Sequence, residues 1–120
     1  MSVDLLAIAA HRDDVELTCA GTLIKAAKQG RTTAVIDLTA GEMGTKGDAQ
    51  SRAAEADAAA RVMRLSAREN LGLPDAAIVN NPETRTLVAR VIRKFKPRVV
   101  IAPARQGRHP DHRVTSELVR

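Results

Sequence analysis

The sequence predicts an α/β fold in which helices cover both faces of a parallel β-sheet. Short apolar or β-branched runs alternate along the chain with longer segments of helical composition, and this alternation is typical of parallel sheets. The chain has 120 residues, which is enough for one hydrophobic core. We therefore predict a single domain over residues 1–120.

The first half of the chain contains two predicted strands, each followed by a helix. Residues 3–10 form an apolar run that predicts the first strand. Residues 16–29 form the first predicted helix, with Gly30 as its stop signal. The β-branched and apolar residues 32–38 predict the second strand. The alanine-rich segment 51–64 favours a second helix.

The second half of the chain continues this alternation. Residues 67–71 form a short extended segment, and residues 82–95 predict a third helix that has Pro82 in its first turn. Residues 98–102 are the last predicted strand, and residues 111–120 begin a fourth helix. No Gly or Asn cap follows this helix, so we expect the chain to be the truncated front part of a longer α/β fold.

Composition restricts the compartment and the partners. No apolar stretch approaches the roughly 20 residues of a membrane span, and the N-terminus lacks a basic leader. The single cysteine, Cys19, cannot form an internal disulfide, so we expect a cytoplasmic protein with Cys19 as an inert core residue. The net charge of +5 would suit nucleic acid, but Phe95 is the only aromatic residue. This absence of a stacking platform disfavours the alternative of a nucleic-acid-binding domain.

All three histidines lie in two short clusters, each soon after a predicted strand. Residues 11–14 read His-Arg-Asp-Asp, and residues 109–112 read His-Pro-Asp-His. Open α/β sheets bind ligands at the loops that follow the carboxyl ends of their strands. Histidine combined with aspartate suits zinc or another divalent transition metal. Each cluster alone is also compatible with a polar turn or a helix cap, but the two together predict a catalytic metal site.

A catalytic zinc ion takes three protein ligands and keeps a fourth position for water. His11 and Asp14 can face the same side of the turn after the first strand, and His112 can reach the same point from the second cluster. Asp13 lies between the ligand candidates of the first cluster, where its carboxylate can take a proton from water.

Other residues have candidate roles beside the metal. His109 can stabilise an oxyanion, and Asp111 can hold the imidazole of His109 in the required tautomer. Arg52, at the start of the second predicted helix, either binds a hydroxyl or carboxylate of the substrate or is a solvated side chain. The glycine-rich segment 41–47 matches neither a dinucleotide fingerprint nor a phosphate-binding loop. It is either a crossover loop or a wall of the substrate site.

Several segments of the chain occur in the order found in one known family. They are A-H-R-D-D-V-E-L at 10–17, G-T-L at 21–23, D-L-T-A-G-E-M-G-T-K-G at 37–47, R-A-A-E-A at 52–56, N-L-G-L-P-D at 70–75 and R-H-P-D-H at 108–112. With these segments the chain resembles the PIG-L/LmbE family of zinc-dependent N-deacetylases. The resemblance is strongest to the bacterial branch that acts on N-acetylglucosamine conjugates such as the bacillithiol precursor.

The resemblance implies a Rossmann-like three-layer fold and hydrolysis of a linear amide bond. In that reaction, a metal-activated water removes an N-acetyl group from an amino-sugar conjugate. The implied residue roles are metal binding by His11, Asp14 and His112, general base catalysis by Asp13, oxyanion stabilisation by His109 with Asp111 orienting it, and substrate contact by Arg52.

Three features depart from the family pattern. Arg12 occupies the position of a family proline, and residues 18–21 read Thr-Cys-Ala-Gly where the family has Gly-Cys-Gly-Gly. Family members are also longer than this chain. The alternative function is therefore a non-catalytic remnant that binds a metal or a ligand. The exposed edge expected for the last strand predicts a homo-oligomer.

Overall fold

A computed structural model describes residues 2–40 and 49–120. Within these ranges the chain forms a four-stranded sheet with flanking helices, none of which has both the length and the apolar character needed to cross a membrane. The glycine-rich segment 41–47 lies outside the described residues. The elements in chain order are β1 (Leu5–Ala9), α1 (Asp14–Thr18), α2 (Ala20–Lys28), β2 (Thr33–Thr39), α3 (Ala49–Val62), β3 (Ala67–Leu73), α4 (Pro82–Phe95), β4 (Val99–Ile101) and α5 (Pro110–Val119).

All four strands run parallel, in the order β3-β2-β1-β4. The chain therefore builds outward from β1 to β3 and then returns to place β4 on the other side of β1. This reversal leaves a crevice beyond the carboxyl ends of β1 and β4, where open α/β sheets bind their ligands. The clusters at 11–14 and 109–112 follow these two strands.

Alternate residues of the central strands are buried on opposite faces of the sheet. On one face, Leu6 and Ile36 belong to a buried cluster with Phe95 of α4. On the other face, Val35 belongs to a second cluster with Leu23 of α2. Every residue of β2 is buried, which explains its β-branched and apolar composition. The prediction of a parallel sheet with helices on both faces is confirmed.

The prediction of the first helix is wrong in one respect, because residues 16–29 do not form one continuous helix. Helix α1 ends at Thr18 and α2 begins at Ala20, with Cys19 between them at φ −135° and ψ 14°. The Thr18 hydroxyl donates a hydrogen bond to the carbonyl of Asp14 at 2.7 Å, and such bonds favour a bend in a helix. The break makes α1 a separate short element directly after the first histidine cluster.

Candidate active site

The two histidine clusters meet at the carboxyl edge of the sheet. His11 lies on the loop after β1, whereas His109 and His112 lie at the N-terminus of α5. The ring centroids are 4.8 Å apart for His11 and His109, 5.4 Å for His11 and His112, and 5.3 Å for His109 and His112. Residues from opposite ends of the sequence therefore form one site.

Asp14 stands between two of these imidazoles. Its Oδ2 lies 3.0 Å from His112 Nε2 and 3.6 Å from His11 Nδ1, and the three residues offer ligand atoms within 4.8 Å of one another. The ligand atoms of a tetrahedral zinc ion lie about 3.4 Å apart when each is about 2.1 Å from the metal. The spacing and the chemistry of His11, Asp14 and His112 therefore fit a divalent metal ion.

The turn after β1 sets the positions of the first two residues of this set. The His11 N–H donates to Asp14 Oδ2 at 3.1 Å, and the Asp14 N–H donates to the His11 carbonyl at 3.3 Å. Asp13 is the N-cap residue of α1, but its side chain makes no capping hydrogen bond. The Asp13 side chain is exposed to solvent, and Asp13 adjoins the ligand candidate Asp14 in the sequence.

The other nitrogen of His11 faces two carboxylates. His11 Nε2 lies 3.0 Å from Asp111 Oδ2 and 3.0 Å from Asp75 Oδ1. Asp111 is almost fully buried, and its carboxylate also accepts hydrogen bonds from the N–H groups of Ala76 at 2.7 Å and Ile78 at 3.2 Å. Asp111 therefore ties the segment after β3 to His11, and carboxylates placed in this way orient a metal-binding imidazole.

The sequence analysis gave no functional role to Asp75, which lies at the end of the segment 70–75. Its side chain is 8% exposed and points at His11. The available signal was its position: Asp75 follows β3 closely, just as the first histidine cluster follows β1. A search for aspartate after every predicted strand would have found it.

The structure places the Asp111 carboxylate closer to His11 than to His109. Asp111 Oδ2 is 4.0 Å from His109 Nδ1, and this nitrogen instead accepts a hydrogen bond from the Asp111 N–H at 3.1 Å. A neutral His109 that accepts at Nδ1 carries its proton on Nε2. The side chain of His109 is 43% exposed, so that proton is accessible to a ligand.

The site shifts the pKa values of His11 and Asp14 in opposite directions. The Asp14 carboxylate, 3.6 Å from His11 Nδ1, is the main cause that raises the pKa of His11 to about 9, and Asp111 and Asp75 add to it. Burial disfavours the ionised form of Asp14, but hydrogen bonds from His11 and the charge of His112 outweigh burial and hold the pKa of Asp14 below its usual value. Without a metal, the cluster therefore retains a proton on His11 at neutral pH.

An apolar cleft of about 440 Å³ adjoins the metal-ligand candidates. Asp14 and His112 form part of its wall, together with apolar residues of β1, α1 and the segment after β4. Cys19 also lines the cleft and is half-buried, and burial raises the pKa of its thiol. Arg52 lies in α3 and is half-buried, and its contact with substrate stays a prediction.

The chain is similar to proteins of known family and structure. It matches the GlcNAc-PI de-N-acetylase family, PIG-L, over residues 6–120. It is 46% identical to a conserved protein from Thermus thermophilus, with a TM-score of 0.93 over 97% of this chain and 53% of that chain. It is 28% identical to N,N'-diacetylchitobiose deacetylase from Pyrococcus horikoshii, with a TM-score of 0.89 over 98% of this chain and 48% of that chain.

A third similar structure has a different activity. The chain is 25% identical to 4-carboxy-2-hydroxymuconate hydratase from Pseudomonas putida, with a TM-score of 0.87 over 99% of this chain and 54% of that chain. The chain thus spans about half the length of each of these three proteins.

Proposed function

The chain belongs to the PIG-L (GlcNAc-PI de-N-acetylase) family, and from this premise we propose that it removes an N-acetyl group from an N-acetylglucosamine conjugate by metal-dependent hydrolysis. The convergence of His11, Asp14 and His112 beside an apolar cleft carries the proposal. Asp13 adjoins this set in the sequence, and the ring of His109 stacks on that of His112.

Zinc or another divalent transition metal is the cofactor that we propose for this cluster. Two imidazoles and one carboxylate leave a fourth position open, as in catalytic zinc sites. When bound, such an ion lowers the pKa of water and polarises the acyl oxygen of an amide. His11 would bind through Nδ1, because its Nε2 faces Asp75 and Asp111.

In the proposed reaction, Asp13 transfers the proton and His109 stabilises the oxyanion. The exposed Asp13 carboxylate takes a proton from the attacking water, whose oxygen forms a bond to the acetyl carbon. The Nε2–H of His109 donates to the negative charge that develops on the acyl oxygen. Asp13 then delivers the proton to the leaving nitrogen as the carbon–nitrogen bond breaks. The products are the free amine and acetic acid, which releases its proton to solvent as acetate.

The substrate class rests on similarity and on charge. The family description names a GlcNAc derivative, and the Pyrococcus horikoshii protein is a diacetylchitobiose deacetylase. We propose that Arg52 binds a hydroxyl or a carboxylate of the conjugate, because it lies in the first turn of α3, the helix that follows β2. The single cysteine suits a reducing compartment, and we propose the cytoplasm as the location.

Acetate release tests this proposal. The zinc-loaded and chelator-treated protein are incubated with N,N'-diacetylchitobiose and with N-acetylglucosaminyl conjugates that carry neutral or anionic groups. We expect acetate from at least one compound, only with metal, and not from the Asp13→Asn variant. Asp57→Asn is the matched control, since Asp57 is an exposed aspartate of α3.

Two other outcomes would each support a different function. Metal binding without acetate from any compound would favour the alternative, a non-catalytic remnant that retains the ligands. Consumption of 4-carboxy-2-hydroxymuconate without acetate release from any amide would instead favour the hydratase activity of the Pseudomonas putida protein.

A further inference from the structure

Arg68 of β3 is a buried cation that the proposed reaction does not use. Its side chain is 7% exposed, and that of Asp37 on β2 is 2% exposed. Arg68 Nε donates to Asp37 Oδ2 at 2.8 Å, and Nη2 donates to Asp37 Oδ1 at 3.1 Å. This two-point pairing fixes the plane of the guanidinium, and it lies on the sheet face that α1 and α2 cover.

The remaining contacts of Arg68 reach the first histidine cluster and the helices on this face, including a 3.5 Å hydrogen bond from Nη1 to the Ala56 carbonyl of α3. Its Nη1 lies 3.0 Å from Glu16 Oε1 in α1, and its Nη2 donates to the carbonyl of Arg12. Arg12 lies between His11 and Asp13 in the sequence. One guanidinium therefore joins β2 and β3 to α1 and to the backbone of the loop that carries two metal-ligand candidates.

Stabilisation of the fold alone does not account for the buried ion pair of Arg68 and Asp37. Taking both charges out of water is costly, and buried ion pairs can often be replaced by apolar residues without loss of stability. Burial raises the pKa of Asp37 to about 6, although the hydrogen bond and charge of Arg68 oppose this. An apolar replacement cannot reproduce the contacts of Arg68 with Glu16 and with the Arg12 carbonyl, and the second of these lies between two metal-ligand candidates.

We propose that Arg68 is a positioning residue for the metal centre. By holding the Arg12 carbonyl, it fixes the backbone between His11 and Asp14 and so sets the distance between their ligand atoms. The inference rests on the proposed metal centre, and it adds a residue from β3, which lies outside both histidine clusters. The planar, multiply donating guanidinium is required for this role, since an ammonium group is a single point charge.

Binding of Co²⁺ tests the proposal without relying on activity. Affinity and the visible absorption of the bound ion are measured for the wild type and for Arg68→Lys. We expect Arg68→Lys to bind Co²⁺ about 10- to 100-fold more weakly, the usual cost of losing a residue that orients a metal ligand, and to change the absorption spectrum. Glu69→Gln is the matched control. Glu69 lies next to Arg68 on β3, and the change breaks its exposed 2.6 Å ion pair with Lys94 of α4, so both readouts should stay unchanged.

A double variant, Arg68→Met with Asp37→Leu, tests the proposal if the single variant does not fold. It removes the paired charges of Arg68 and Asp37 together, and the Glu16 side chain that also pairs with Arg68 is 29% exposed, so the fold should survive, while the Arg12 carbonyl loses the hydrogen bond from Arg68. We expect the double variant to lose Co²⁺ affinity by a similar factor. If either variant melts at a lower temperature but binds Co²⁺ with the affinity and spectrum of the wild type, Arg68 is only a core residue and the proposal is overturned. A wild-type protein that fails to bind Co²⁺ would instead contradict the proposed function.

Discussion

Metal binding by this chain should compete with a proton on His11. The pKa of His11 sets how strongly protonation lowers the apparent metal affinity. The neighbouring carboxylates of Asp14, Asp111 and Asp75 raise the pKa of His11 to about 9. A metal ion requires the neutral imidazole. Below pH 9 the neutral fraction falls about tenfold per pH unit, so the apparent affinity at pH 7 should be about 100-fold below its high-pH limit.

The assay is competition for Zn²⁺ between the protein and a chromophoric chelator of known pH dependence. Between about pH 6.5 and 8, the logarithm of the apparent affinity should rise by about one for each pH unit. Asp75→Asn removes a charge that raises the pKa of His11, so in this variant the rise should level off at a lower pH. An affinity that is flat above about pH 7 in the wild type would refute the reasoning, because His11 would then have its ordinary pKa.

The same proton stabilises the metal-free fold. The pKa of His11 is about 9 in the folded chain and 6.5 in the reference state. Its stabilising contribution is therefore complete below pH 6.5 and is lost as the pH rises through about 9. The melting temperature of chelator-treated protein should fall over this range, and it should fall less in Asp75→Asn.

Three further predictions concern single residues. His112→Ala should lose most of the bound zinc in elemental analysis, and equal metal in both proteins would contradict the assignment of this ligand. Asp13→Asn should lower turnover by about two orders of magnitude or more while zinc stays bound, whereas loss of zinc would show that Asp13 and Asp14 have exchanged roles. Val100 on the edge strand β4 is 37% exposed, so the chain should self-associate in light scattering and Val100→Lys should reduce this. A wild type that stays monomeric at high concentration would contradict the last prediction.

Helix α4 shows what could be predicted well from the sequence. The predicted span 82–95 agrees with the structure, because the signals that define this helix are local. Asn81 Oδ1 accepts a hydrogen bond from the Thr84 N–H at 2.9 Å, and Thr84 Oγ1 accepts one from the Asn81 N–H at 3.0 Å. This capping box and Pro82 mark the start of the helix within four consecutive residues.

The contacts of Asp111 and Arg68 could not be predicted in the same way. Each depends on which strands are neighbours and in which register, and the sequence gives the order of strands along the chain but not across the sheet. Pairing of β2 with β3 places Val35 opposite Arg68, and only this register brings its guanidinium to Asp37. An isolated arginine in an extended segment otherwise has the pattern of a solvated side chain.

The return of the chain from β3 to β4 has a consequence for the local stability of β4 and α5. His11 and Asp111 are 100 positions apart in the sequence, and the chain reaches Asp111 through β4, which pairs with β1. Strand β4 has three residues, so this pairing contributes few backbone hydrogen bonds. Among the strands and helices that the structure describes, β4 with α5 should open most readily. A metal ion bound by residues of both histidine clusters would link α5 to the loop after β1. Metal binding would then slow hydrogen exchange of the amides in β4 and α5 more than it slows exchange in β2.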